Sequence, residues 1–130
     1  MKMQLMMAVE VYANLHVFGD LILTVDKRRK IKRAADLLEN EKKFYDEELQ
    51  QLIEVYTLKD EKGLPIVKNN EYVFEDDIKK GEYISKVIEL RKCEIDLDIE
   101  KINISIAEQT QLKISIRQED LLSNIFNFEE

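Results

Sequence analysis

The stretch DKRRKIKRAADLLENEKKFYDEELQQLIEVYTL, residues 26–58, decides how this chain folds. Within it Ile31, Ala35, Leu38, Lys42, Tyr45, Leu49, Leu52 and Tyr56 recur at alternating intervals of four and three. That period of 3.5 belongs to a helix whose seam meets another helix by knobs-into-holes packing. No Gly or Pro interrupts the stretch, so it is predicted as one helix of roughly 50 Å at 1.5 Å per residue. A segment about half as long returns along it, so the remaining turns are expected to project, to pack on a partner, or to be covered by the N-terminal helix.

Working outward, Leu5, Val9, Tyr12 and Leu15 fall at helical spacing and predict a first helix over 4–18, stopped by Gly19-Asp20. Residues 21–25 form an apolar connector, and Thr24 or Asp26 can accept from the free amides that open the long helix. Downstream, Asp60-Glu61-Lys62-Gly63 reads as a helix end. Residues 64–67 and 72–74, joined across Lys68-Asn69-Asn70-Glu71, predict a β-hairpin, because Asn tolerates the left-handed backbone of a tight turn. Asp76 or Asp77 then caps a helix to about Lys92, with Tyr83, Val87 and Leu90 repeating the four-three spacing. The sequence thus predicts an antiparallel helical hairpin with a β tip.

Beyond Cys93 the period changes to two: Ile95, Leu97, Ile99; Ile102, Ile104, Ile106; Leu112, Ile114, Ile116. These alternations predict strands of a small antiparallel sheet, with a bulge or break where the phase slips at Glu100-Lys101. Residues 107–111 are expected as the loop of a second hairpin, and residues 118–127 as a short C-terminal helix with Leu121, Leu122, Ile125 and Phe126 on one side. The fold class is α+β, mainly helical, in one domain: a helical part over about 1–92 and a small β part with the terminal helix over about 93–130.

Length and composition agree with one domain, since 130 residues bury one modest core. The chain is 36% charged, with one Pro, three Gly and no Trp, which favours long helices over a turn-rich β fold. Its one cysteine, Cys93, has no internal partner and fits a reducing cytoplasm. The apolar start is interrupted by Glu10, Asn14, His16 and Asp20, so neither a signal peptide nor a membrane span is expected, and no membrane association.

Net charge is −7, unevenly placed: Lys27, Arg28, Arg29, Lys30, Lys32 and Arg33 form a basic run, whereas residues 94–130 carry nine acids and three bases. Acidic balance argues against general nucleic-acid binding, but a local basic run can hold phosphate or an acidic protein. The plain reading of that run is a solvated helix start. Positive charge at a helix N-terminus opposes the macrodipole by a few tenths of a kcal/mol per residue, which makes these six residues candidate contacts for an anionic partner.

Catalytic signals are absent. Glu94, Asp96, Asp98 and Glu100 alternate along a predicted strand, about 6.5–7 Å apart at a 3.3 Å rise, too far for one ion to bridge neighbours. They read as a solvated sheet face or charged edge. His16, the sole histidine, has no acid or Cys at ligand or triad spacing, and Gly19, Gly63 and Gly81 build no phosphate loop. Met1, Met3, Met6, Met7, Phe126 and Phe128 read as core packing or sticky docking residues. No enzyme, metal or cofactor is expected.

The order of features carries one resemblance. Glu39-Asn40-Glu41-Lys42-Lys43-Phe44 leads into Leu52-Ile53-Glu54-Val55-Tyr56; Lys59-Asp60-Glu61-Lys62-Gly63, Asn69-Asn70-Glu71-Tyr72 and Glu94-Ile95-Asp96-Leu97-Asp98-Ile99 follow. Over roughly residues 34–104 this resembles a family of small uncharacterised bacteriophage and prophage proteins of Gram-positive hosts. The family has no catalytic residues to carry over, so the resemblance implies a phage source rather than a mechanism. The basic run is denser here than in that family.

These features lead to an expected non-enzymatic, phage-type interaction protein. It would bind a protein partner, or a second copy of itself, through the seam formed by Ile31, Leu38, Tyr45, Leu49, Leu52 and Tyr56, and inhibition of a host factor or defence system is one such role. The alternatives are a virion or assembly accessory that oligomerises or chaperones, and a nucleic-acid-binding regulator working through the basic run.

Overall fold

The computed structural model describes all residues, 1–130. The chain forms a mainly helical α+β fold: β1 (Lys2–Gln4), α1 (Leu5–Asn14), a 3₁₀ turn (Leu15–Phe18), α2 (Val25–Tyr56), β2 (Val67–Lys68), β3 (Glu71–Tyr72), α3 (Asp77–Lys92), β4 (Glu94–Asp96), β5 (Ile102–Ile104), α4 (Ile106–Gln109), α5 (Ile116–Leu122) and β6 (Phe126–Phe128). The long helix is present as one uninterrupted element of 32 residues. The Thr24 hydroxyl opens it by accepting from the Lys27 amide, and the Asp76 carboxylate opens α3 by accepting from the Lys79 amide. Each satisfies one of the donors that a helix start leaves free.

α3 runs back along the C-terminal half of α2. Near the tip Tyr83 meets Tyr56, with ring centroids 6.4 Å apart, and farther back the Arg91 Nε donates to the Tyr45 hydroxyl at 3.2 Å. α1 takes over where α3 stops: the Leu5 amide donates to the Cys93 carbonyl at 2.7 Å, and β1 pairs antiparallel with β4. From there α1 follows the N-terminal half of α2, bringing Tyr12 and Leu15 beside Ile31 and Ala35. Two shorter helices laid end to end therefore cover one long helix, with the β1–β4 pair as their splice.

The burial is unequal along α2. Ala34 and Leu38 enter a core built with Ala8, Val11, Leu15, Phe18, Leu97, Ile99, Ile102, Ile104, Leu122, Ile125 and Phe126. We call this body the head; each fully buried Leu, Ile or Phe in it contributes about 1.5–3 kcal/mol. Residues 41–92 form an arm of two helices and a β tip, in which only Tyr45, Ile53, Thr57 and Val87 are buried. The head thus joins residues from both ends of the sequence, those before the arm and those after it.

The tip follows the turn chemistry. Asn69 and Asn70 hold φ of 53° and 64°, the two left-handed residues that a two-residue hairpin turn requires, and Val67 pairs with Tyr72 across it. Gly63 has φ of 77°, and the Asp60 carboxylate closes its turn by accepting from the Lys62 and Leu64 amides.

The β region departs from the expectation in two places. The phase slip is a break: the Ile99 amide donates to the Leu97 carbonyl, a tight turn at Asp98, and the next strand starts at Ile102. This lets Leu97 and Ile99, then Ile102 and Ile104, all point inward. The second hairpin does not form. Residues 112–116 are not a strand; Ser105 and Ser115 each open a helix with a capping box, reciprocated by Glu108 and Gln118. The terminal helix ends at Leu122, and Phe126–Phe128 forms a strand parallel to β5. Two antiparallel pairs and one parallel pair result, because α4 and α5 provide the crossover a parallel pair needs.

Candidate protein-interaction surfaces

The six seam residues face inward. Leu38 and Tyr45 are buried, and Ile31, Leu49, Leu52 and Tyr56 are half-buried against α1 or α3. Of the two covers expected for the turns of α2 that α3 leaves, the N-terminal helix or another chain, it is α1 that lies there, continuing the line of α3.

The basic run is partly neutralised. Lys27 Nζ donates to Glu108 Oε1 at 2.5 Å, Lys30 lies 3.3 Å from Asp26, and Arg33 reaches Asp98 at 2.5 Å. The Lys27 ammonium, helped by the Ser105 amide, holds the Glu108 carboxyl below the ordinary carboxylate range. Arg28, Arg29 and Lys32 are exposed and make no ion pair. What remains is a patch of three cations, bordered by Asp26, Asp36 and Asp98, rather than a continuous basic face.

Two apolar surfaces on the arm escaped the sequence reading. At the tip, Leu58, Leu64, Val67 and Tyr72 are exposed, with Val67 and Tyr72 side by side as a cross-strand pair. The second surface is a groove between α2 and α3, floored by Phe44, Leu52, Leu90 and Cys93, with Glu48 on one wall and Lys86 on the other. Phe44 is 45% exposed, and Val55, farther along the same helix face as Phe44 and Glu48, is 70% exposed. The available signal was that Phe44 and Val55 are apolar but lie off the 3.5-residue seam. A helix needing only one apolar stripe would carry polar residues there.

The remaining candidate chemistry does not converge. His16 is exposed and its ring makes a hydrogen bond to the Ala13 carbonyl, beyond the end of α1, whereas Cys93 sits at its start. Roughly 15 Å of helix separates the two at 1.5 Å per residue. Asp98 pairs with Arg33, Asp96 with the Met1 amino group, and no three acidic, His or Cys groups are arranged to hold a metal ion. No helix is long and apolar enough to cross a membrane. Comparison of the chain with protein-family models, with curated proteins and with solved structures finds no match.

Proposed function

We propose that this chain is a non-enzymatic interaction protein of phage type whose head anchors the fold and whose arm presents a binding surface to a protein partner. One observation carries the reading: Leu58, Leu64, Val67 and Tyr72 are exposed together on a tip held by regular turns. Large apolar side chains gathered at the end of a projecting element favour a partner that buries them, and single exposed apolar residues scattered elsewhere do not carry that meaning. The resemblance to phage and prophage proteins points to a host protein, such as a defence factor, as the partner. A nucleic-acid role is less favoured, since Lys27, Lys30 and Arg33 already meet acids of the same chain.

The test is capture from a Gram-positive host lysate followed by mass spectrometry. A Leu64→Ser, Val67→Lys protein is expected to lose a partner that the wild type retains, with stability changed by no more than about 0.5 kcal/mol because both sites are exposed. Reversing Arg28, Arg29 and Lys32 is expected to leave that capture intact. Loss of capture in the charge-reversed protein alone would move the interface to the basic run, and wild-type protein that retains nothing would overturn the reading.

A further inference from the structure

We infer that Ile22, Val25, Arg28, Arg29 and Lys32, at the end of the molecule opposite the tip, form a second docking face, which fits an acidic segment of a partner protein that also carries aliphatic side chains. The inference goes beyond the tip's role and does not rest on it. Helical periodicity splits the basic run in two. Lys27, Lys30 and Arg33, three apart, each meet an acid of the chain: Glu108, Asp26 and Asp98. Val25, Arg28, Arg29 and Lys32, three or four apart, share another face of α2. All four are exposed there, and the three cations make no ion pair. Arg28 and Arg29 stand in the opening turns, where positive charge opposes the helix macrodipole. The chain offsets that opposition for one half of the run and leaves the other half bare.

The aliphatic part of the face is held in place. Leu21 is buried and Leu23 packs on the head core, whereas Ile22 between them is 83% exposed, its amide donating to Gln111 Oε1 at 3.1 Å. Val25, the first residue of α2, is 61% exposed, and the bond from Lys27 to Glu108 fixes that helix start. Side chains already fixed lose little freedom on binding. Two features choose the occupant. The cations call for negative charge, but Asp26 and Asp36 lie about one helical turn from them, inside a Debye length of about 8 Å, and the chain carries −7 overall. A continuous anionic surface, bilayer or duplex, meets those acids together with the cations, whereas carboxylates spaced along a peptide meet the cations alone. Ile22 and Val25 in turn bury against aliphatic side chains, which a phosphate backbone does not offer. From Val25 to Lys32 the face runs about 10 Å at 1.5 Å per residue, the reach of a short segment.

Selection from a displayed library of short random peptides tests this, with the wild type as bait and the Arg28→Glu, Arg29→Glu, Lys32→Glu protein for counter-selection. The wild type is expected to enrich peptides that combine Asp or Glu with Ile, Leu or Val, with affinity that falls as salt rises. Reversal of the three cations is expected to weaken a selected peptide by about tenfold or more, and Ile22→Ser, Val25→Ser by about tenfold. Both proteins are expected to keep the wild-type circular dichroism spectrum, since every substituted site is exposed. No enrichment, enriched peptides without an excess of acids, or a selected peptide indifferent to both sets of substitutions would overturn the inference. Tighter binding of phosphatidylglycerol vesicles or of duplex DNA than of the selected peptide would overturn it too, by making a phosphate surface the occupant. Leu64→Ser, Val67→Lys is expected to bind the selected peptide as the wild type does, so failure of the tip reading and failure of this one are seen separately.

Discussion

The first sixteen residues of α2 and its last sixteen belong to one helix but to different kinds of structure. In the head, α2 has α1 along one side and β5 close by, and Leu38 is fully buried. In the arm its one helical neighbour is α3, and a turn of α2 that buries Tyr45 or Ile53 also exposes Phe44 or Val55. Neither half is broken by Gly or Pro, and the helix runs unbroken through both. Continuity of a helix therefore says little about local stability, which follows the number of elements packed around it.

The sharpest way to break this comparison is to damage the head. Phe126 is 1% exposed and stacks on Phe18 with centroids 4.2 Å apart. Phe126→Ala is expected to cost about 3–5 kcal/mol and to lower the denaturant midpoint of head and arm signals together. An unchanged midpoint would mean that the head is not the stabilising body. Next in size is Ile53→Ala, 6% exposed in the arm, expected to cost about 2 kcal/mol. Its signature is local: amide exchange in α3 should accelerate while exchange in α1 stays slow. Equal acceleration in both would show head and arm opening as one unit.

The smallest effect is electrostatic and confined to the head. The Glu108 pKa is lowered from its ordinary 4.5 by the Lys27 ammonium and the Ser105 amide. The stability this contributes is fully present above 4.5, the unfolded value, and is lost as pH falls through the lower folded value. Lys27→Met is therefore expected to melt somewhat below wild type at neutral pH and to converge with it in acid. A gap that stays constant down to the acid limit would place the effect in side-chain packing instead. Arm amide exchange should not respond.

Most of the helical architecture was legible because its signals are local. The 3.5-residue seam, the caps at Thr24 and Asp76 and the Asn69-Asn70 turn each act through residues a few positions apart. The β region was half legible. Alternation at Ile102 and Ile104 marked a strand, but the same alternation at Leu112, Ile114 and Ile116 did not. There the capping boxes Ser105-x-x-Glu108 and Ser115-x-x-Gln118 were the competing signal, offering the backbone helix starts in place of a ladder. The candidate surfaces were least legible: the seam packs against α1 and α3, the groove adds Phe44 and Cys93 to the patterned Leu52 and Leu90, and the tip lies outside the pattern.

By itself, then, the sequence determined a long helix, its antiparallel return through a β tip and the residues that face inward along both, since periodicity and capping are properties of neighbouring residues. Only the tertiary structure decided that α1 completes the cover of α2, that the C-terminal strand pairs parallel with β5, and which apolar flanks stay uncovered. Those outcomes depend on pairings between segments as much as 117 residues apart, such as the contact of Asn124 with Met7. No local pattern encodes them, because an apolar face records that it is to be buried and not what will bury it.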